Sequence, residues 1–569
     1  MMIQPNLNVR GNNMPIPTPE RFESRKDRIK QLVIIGHTTD TTAKIWIKTP
    51  TEGKWALVLS QKPFHGDLDT MDGKPVQDWL STRPDLSDSI LLSHKMKKSE
   101  GLCHCFEISG LQQGTRYYYI LTAGRNTPIT EDGRTVIGDV TDEFFTTAAT
   151  SPESVKFAAF SCHDPFSWEH PNDGAWPELY KTVLREELDL AIAGGDQVYL
   201  DTNDKRMADL WKWLKRYKNE LKGLDDDRIK GYLVNLIRQY YRIYWNFESF
   251  AEVVGRIPTY MIWDDHEIMD GWGSRTKEER RKLLNHVWQG DDEAFNSRIV
   301  ELTWRAAAQV YYEYQHSHNP TTDAHGKDIG TLDPREATWD YAFERGGCHF
   351  YVLDVRAHHN CENPSDRLLG KAQHQRLDSW LASLSGAKAA FIISPVPVVH
   401  WSGLVDIADF SLTGMKDDLM DEWSHKTNHE ERNLFLKAVM KVSDKYKVPI
   451  TIISGDVHCA SAYRLVNTKK YPNARIAQVT SSPISRKPNP SIANALVAKS
   501  GDMVTVDIGD GKREKKGPVY QKRLFAKSGI NNYAVFSVGR AQDDDARIMV
   551  DFYWPGEDDG EVVRRTIEL

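Results

Sequence analysis

Disulfide chemistry is the first thing this sequence lacks. Its 569 residues carry six cysteines, Cys103, Cys105, Cys162, Cys348, Cys361 and Cys459, without the dense, even spacing of a stapled secreted domain. A reducing compartment is expected. No segment holds about 18 consecutive uncharged apolar residues, which argues against a membrane-spanning helix. The residues from Met1 to Arg10 show no basic stretch leading into an apolar one, so no export signal is read and a cytoplasmic protein is expected. Positive charge is not in excess: 73 Lys and Arg against 80 Asp and Glu give −7, no footprint for duplex nucleic acid or an anionic membrane. Repeats and low-complexity tracts are missing too. What remains, 40% hydrophobic and 27% charged residues, is ordinary globular composition in a chain long enough for two or more domains.

After a leader over 1–30, with Pro5, Pro15, Pro17 and Pro19 and a basic stretch from Arg25 to Lys30, region 31–148 reads as strands. Ala43-Lys44-Ile45-Trp46-Ile47-Lys48 alternates with period two, and Trp55-Ala56-Leu57-Val58-Leu59 is a buried-strand run. A β-sandwich is predicted. The stretch from Phe106 to Tyr119 resembles a fibronectin type III strand-turn-strand with its corner tyrosine. Cys103-His104-Cys105 has no second ligand pair nearby in sequence and reads as strand residues rather than a metal motif.

A linker from Ala148 to Glu153 leads into a second domain over 155–569. Strands are predicted at 155–161, 190–195, 258–263, 347–354, 389–394 and 449–455, with helices at 176–188, 205–222, 227–246, 293–316, 371–385 and 428–446. A β-rich tail follows, holding 533–538 and 548–554. An aromatic helical insertion over 201–257 reads as packed core or as a wall beside the crevice.

Five acidic segments each follow an apolar, strand-like run: Phe160-Ser161-Cys162-His163-Asp164, Gly195-Asp196-Gln197-Val198-Tyr199, Trp263-Asp264-Asp265-His266-Glu267, Asp354-Val355-Arg356 and Gly455-Asp456-Val457-His458. An α/β sheet opens its ligand crevice at the carboxyl ends of its strands. Carboxylates gathered there repel one another and lose hydration, and metal ions compensate them. In this order the segments resemble the calcineurin-like metallophosphoesterases, and within them the alkaline phosphatase D family, whose variant of the last motif is Gly-Asp-x-His. The resemblance spans roughly 155 to 565 and implies a four-layer αββα catalytic domain preceded by a fibronectin-like sandwich.

Ester hydrolysis at phosphorus needs a nucleophile at neutral pH and neutralised phosphoryl oxygens, which two metals about 3.5–4 Å apart provide. Asp196 suits a bridging role because one carboxylate oxygen can face two cations. From the family resemblance, Cys162 and Tyr199 bind Fe³⁺, while Asp265, Asp456 and His458 complete the metal set with a divalent ion, Ca²⁺ first and Mn²⁺ or Zn²⁺ as alternatives. His266 then sits beside the metals as phosphate ligand or acid, Glu267 orients its ring, and Arg356 either grips phosphate or ties loops together. Asp264 reads as an anion behind the ligands or a cap, Asp354 shares the Arg356 loop, and His163 and His400 are weaker candidates. The substrate is thus a small phosphate mono- or diester. A scaffold protein on the same fold and a Mn/Zn nucleotide phosphodiesterase are the competing readings.

Overall fold

The computed structural model describes residues 31–64, 76–123, 136–137, 143–149, 154–201, 209–288, 292–363, 368–399, 423, 425, 428–488, 497–503, 519–540, 546–556 and 561–569. Strands β1 Leu32–Thr38, β2 Thr42–Lys48, β3 Gly53–Ser60, β4 Ile90–Met96, β5 Cys103–Ser109, β6 Arg116–Ala123, β7 Val136–Ile137 and β8 Phe144–Thr146 make two antiparallel sheets. One has the order β1-β2-β5 and the other β4-β3-β6-β7, with β8 also on β6. Ile35, Ile45 and Ile47 meet Trp55, Leu57, Leu59 and Phe145 in one core between them. The alternation in β2 does not leave a wet face. Trp46 joins the main core of the chain, and its indole donates to the Glu313 carbonyl at 2.7 Å.

The remaining strands are β9 Val155–Phe160, β10 Leu190–Gly194, β11 Thr259–Ile262, β12 Tyr341–Arg345, β13 Cys348–Val352, β14 Ala389–Ile393, β15 Ile450–Ser454, β16 Cys459–Asn467, β17 Tyr471–Ser481, β18 Gly501–Asp502, β19 Tyr520–Ser528, β20 Tyr533–Arg540, β21 Ala546–Pro555 and β22 Val562–Glu568. They build a six-stranded sheet, β11-β10-β9-β20-β21-β22, and an eight-stranded one, β12-β13-β14-β15-β17-β16-β19-β18. The continuous apolar runs of β9, β10, β14 and β15 have both faces covered, as parallel strands require. Phe157 on β9 shows how the sheets face each other. Its ring stacks on Phe536 at 4.7 Å within the six-stranded sheet and meets Phe391 and Phe350 of the other sheet edge-on at 4.9 and 5.2 Å. Outside the six-stranded sheet lies the helix Trp176–Glu186, with Trp176 against Phe160. Outside the other sheet lie Lys371–Ala382 and His429–Tyr446, whose Leu377, Leu381, Phe435 and Val439 share a second core with Ile392 and Ile452.

The insertion forms helices Asp209–Arg216, Lys218–Lys222, Asp226–Tyr244 and Glu248–Val254. Trp213, Tyr240, Tyr241, Tyr244 and Trp245 are buried in the main core, so its aromatics are packing residues. Its end also touches the crevice, where the Trp245 indole donates to the Gln197 carbonyl at 3.2 Å. Cys103 and Cys105 are half-buried on β5 as thiols. No helix among the described residues is long and apolar enough to cross a membrane.

Candidate metal centre

All five acidic loops leave the carboxyl ends of their strands on the same side. Cys162, Asp196 and Asp456 have φ of 59°, 58° and 62°, a left-handed backbone that costs a non-glycine residue roughly 1–2 kcal/mol. Loop-to-loop hydrogen bonds hold it: Cys162 N–H to the Gly195 carbonyl at 3.2 Å and His163 N–H to the Asp196 carbonyl at 2.8 Å. Gly195 has φ 109°, and a Cβ there would come within 2.8 Å of the Asp264 Cβ, so only glycine lets these two loops meet.

Ligand-capable oxygens of Asp196, Asp264, Asp265 and Asp456 lie within 4.8 Å of one another, and so do donor atoms of Asp196, Asp265 and His266. The two groups share Asp196 and Asp265. Beside them, the Tyr199 hydroxyl donates to Asp196 Oδ2 at 2.9 Å and Cys162 Sγ stands 3.5 Å from the same oxygen. Asp196 Oδ1, Asp264 Oδ2 and Asp265 Oδ1 are buried and accept no hydrogen bond among the described residues. Oxygens so placed are costly unless a cation meets them. The donor set therefore fits metal ions, with carboxylates suited to hard divalent cations and one thiol and one phenol beside them.

His458 follows Asp456 on the same loop, half-buried with φ 50°, and belongs to neither donor group. Asp264 belongs to one of them and is also the salt-bridge partner of Arg356 Nε. It also stands at the N-cap of the turn Asp265–Glu267, in keeping with the cap reading. His400 lies outside the described residues. His163 is structural: Trp176 Nε1 donates to its Nδ1 at 3.0 Å, which leaves its Nε2–H to donate to the Tyr244 carbonyl at 2.6 Å. Asp354 Oδ1 accepts from the Trp263 indole and from the Arg356 and Ala357 amides at 2.8, 2.9 and 3.0 Å, folding its own loop.

Glu267 makes contacts other than those of a ring-orienting acid, and Arg356 makes those of its loop-tying alternative. Glu267 does not touch the His266 ring. Its carboxylate accepts from the amides of Asp196, Gln197 and Asp264 at 3.1, 2.7 and 2.9 Å and from Gln315 at 3.0 Å, so it ties two metal loops together. The ring is held by Asp201, whose Oδ1 lies 3.1 Å from His266 Nδ1, with Asp270 Oδ1 3.9 Å from Nε2. A neighbour in sequence points away along the short helical turn, whereas Asp201 reaches over from the next loop and Asp270 returns one turn later. Asp270, four residues after His266, and Asp201, two after Tyr199, were visible as acids, but nothing in spacing aims them at the ring. Arg356, in turn, is 0% exposed, bonded to Asp264 and to the Trp272 carbonyl at 3.1 Å, with Nη2 3.6 Å from Asp265. Its guanidinium faces the carboxylates from within the fold.

Burial and mutual repulsion push the Asp196, Asp264 and Asp456 carboxyls above the usual range. Burial works the same way on Asp265, but His266 and Arg356 outweigh it and hold that group low. Burial and the neighbouring anions raise the Cys162 thiol and the Tyr199 phenol. Burial also takes Glu267 up to about 8, with Asp196 adding to it. A cation in the cluster reverses this logic, because it becomes the largest local charge.

A two-sheet α/β domain whose strand ends gather buried carboxylates and a carboxylate-held histidine defines a phosphoesterase-like class. Within it, the chain belongs to the PhoD-like phosphatase family, whose model matches residues 157–513. The solved structure of PhoD is similar over 94% of this chain and 88% of its own, with a TM-score of 0.60 at 15% identity, a likeness of fold. An uncharacterized protein of Saccharomyces cerevisiae, YGR266W, is 22% identical over 349 residues, which cover 51% of this chain and 47% of that relative. The chain thus spans about half the length of that curated relative.

Proposed function

We propose that this protein is a metal-dependent phosphoesterase that hydrolyses small phosphate mono- or diesters at a dinuclear centre. The observation that carries the reading is the buried convergence of Asp196, Asp264, Asp265 and Asp456, three of whose oxygens accept no hydrogen bond among the described residues, with Cys162 Sγ and the Tyr199 hydroxyl beside Asp196. Asp196 would be shared by the ions, Cys162 and Tyr199 would hold Fe³⁺, and Asp265, Asp264 and Asp456, with His458 from the Asp456 loop, would hold a divalent ion such as Ca²⁺. With Asp264 paired to Arg356, the other three carboxylates, a thiolate and a phenolate carry roughly −5, which one trivalent and one divalent cation balance. When bound, the metals acidify a water and neutralise phosphoryl oxygens. The chain's own part is to hold a proton at His266 Nε2, fixed through Nδ1 by Asp201, for the departing oxygen. The three- and five-stranded antiparallel sheets around one core and the Gln112 amide donating to the Tyr117 hydroxyl at 2.9 Å support a fibronectin III-like sandwich ahead of this site.

The test is metal analysis and visible absorption of protein purified without chelator, with assays on aryl mono- and diesters. Bound iron with a charge-transfer band that shifts in Tyr199→Phe is expected. Asp196→Asn should lose at least about a hundredfold in turnover together with bound metal. Full activity of Asp196→Asn with full metal content removes the centre; a colourless, iron-free, active enzyme removes only the iron.

A further inference from the structure

The Ser482-to-Arg486 loop after β17 falls outside every acidic motif, yet it is bound to the Cys162 loop along its length. Ile484 N–H donates to the Ser161 carbonyl at 2.8 Å and Arg486 N–H to the Cys162 carbonyl at 3.2 Å. Ser482 Oγ is 3.0 Å from Cys162 Sγ, and Ser485 Oγ is 2.8 Å from His163 Nδ1. On the other side the Asn531 amide donates to the Arg486 carbonyl at 2.7 Å. The helix entry packs in as well, where Ala175 N–H donates to the Ile484 carbonyl at 2.8 Å. Gly174 has φ 61°, and a Cβ there would sit 2.2 Å from the Ile484 oxygen. Backbone held from three sides delivers one side chain to a fixed place.

That side chain is the Arg486 guanidinium. It lies 4.4 Å from the centroid of the Tyr199 ring, which also has the His266 ring 4.2 Å away. Its Nη1 donates to Asp164 Oδ2 at 3.1 Å. No other side-chain hydrogen bond of Arg486 is found among the described residues. A guanidinium has five N–H donors in a planar fork matched to two oxygens of a phosphate, and here one edge is anchored while the rest is available. The contrast with Arg356 is in exposure: the Arg486 side chain is 18% exposed and that of Arg356 0%. Only the first can meet a molecule arriving from solvent.

We propose that Arg486, anchored by Asp164 and seated on Tyr199, is the residue that grips the phosphoryl oxygens of the substrate and of the phosphate product. This rests on the proposed phosphoesterase reading. Next to the carboxylates, its positive charge offsets part of the repulsion an incoming phosphate dianion meets, and a bidentate contact fixes the phosphorus relative to His266.

The experiment is calorimetric titration of inorganic phosphate into metal-loaded wild type, Arg486→Lys and Asp164→Asn, with metal content and thermal melting measured on the same samples. Arg486→Lys keeps the charge but loses the fork, so its phosphate Kd and the KM for an aryl phosphate should rise about tenfold, with kcat changing less and metal content unchanged. Asp164→Asn, which frees the fork without removing it, should raise the phosphate Kd by a smaller factor. An unchanged phosphate Kd in a folded, metal-replete Arg486→Lys protein overturns the contact, and a shifted visible band alongside it would make Arg486 a positioning residue for Tyr199. If Arg486→Lys does not fold, an unchanged Kd in Asp164→Asn overturns the proposal by itself. Wild type that binds phosphate through Arg486 but hydrolyses no ester sinks the reaction and keeps the contact.

Discussion

His266 and Glu267 are adjacent in sequence, yet the first meets Asp201 and the second the amides of Asp196, Gln197 and Asp264, where the family resemblance implies one cooperating pair. Asp201→Asn should lower kcat by about tenfold or more on esters with basic leaving groups and less on activated aryl esters, since it releases the Nδ1 side of the ring and leaves the metal loops intact. Glu267→Gln should behave differently. It weakens the carboxylate that ties the Asp196, Gln197 and Asp264 amides, so bound metal and melting temperature should fall together, with equal loss on both kinds of ester. A leaving-group series with metal analysis separates the two, and identical profiles would contradict the division. The acids and the histidine were legible because each follows an apolar strand, and a strand end is a place that sequence marks. Asp201 and Arg486 were not, because what aims them is the approach of loops remote in the chain, such as the Ser482-to-Arg486 loop against Cys162.

Among elements, the strands that carry the site were readable almost to the residue: 190–195 was expected and Leu190–Gly194 observed, 389–394 expected and Ala389–Ile393 observed. Buried parallel strands are short apolar runs with hard ends. The long antiparallel strands β16, β17 and β19 escaped, since the period-two signal in Tyr520–Ser528 is broken by Lys522, Arg523 and Lys527 on a partly exposed surface. Equally hidden was the seam where β1 and β2 meet the turn His316–His318. His37 lies 3.1 Å from the Tyr260 hydroxyl, and the His316 and His325 rings are 5.2 Å apart. Burial and then Lys44 depress these imidazoles, His37 and His325 to about 4 and His318 to about 3, from an ordinary 6.5. Because the folded values lie below the unfolded one, the unfolded chain takes up protons first on acidification. Stability is therefore complete above about pH 6.5 and declines as the pH falls toward 4, by at most about 1.4 kcal/mol per pH unit for each histidine. Thermal melts between pH 7 and 5 should show the decline, and a double variant His37→Asn, His325→Gln should make it shallower.

For the molecule as a whole, that seam makes the N-terminal sheets part of the support of the C-terminal domain. Trp46, the Tyr119 hydroxyl on the Gly255 carbonyl at 2.7 Å, and Arg238 and Arg242 on the carbonyls of Ser99 and Gly101 at 3.1 and 3.0 Å bridge the two. Residues 155–569 expressed alone should be insoluble or melt well below the full chain, whereas a soluble, equally stable fragment would show the seam to be dispensable. Strand order carries a further consequence, for biosynthesis. In the six-stranded sheet β9 pairs with β20, Phe157 opposite Phe536, so an early strand of the C-terminal domain waits for a very late one. At ribosomal speeds that wait is on the order of half a minute, during which the flank of β9 that β20 will occupy is an open edge of apolar residues. The yield of the chain should therefore respond to chaperone supply more than its finished stability does, which expression with and without added chaperone measures.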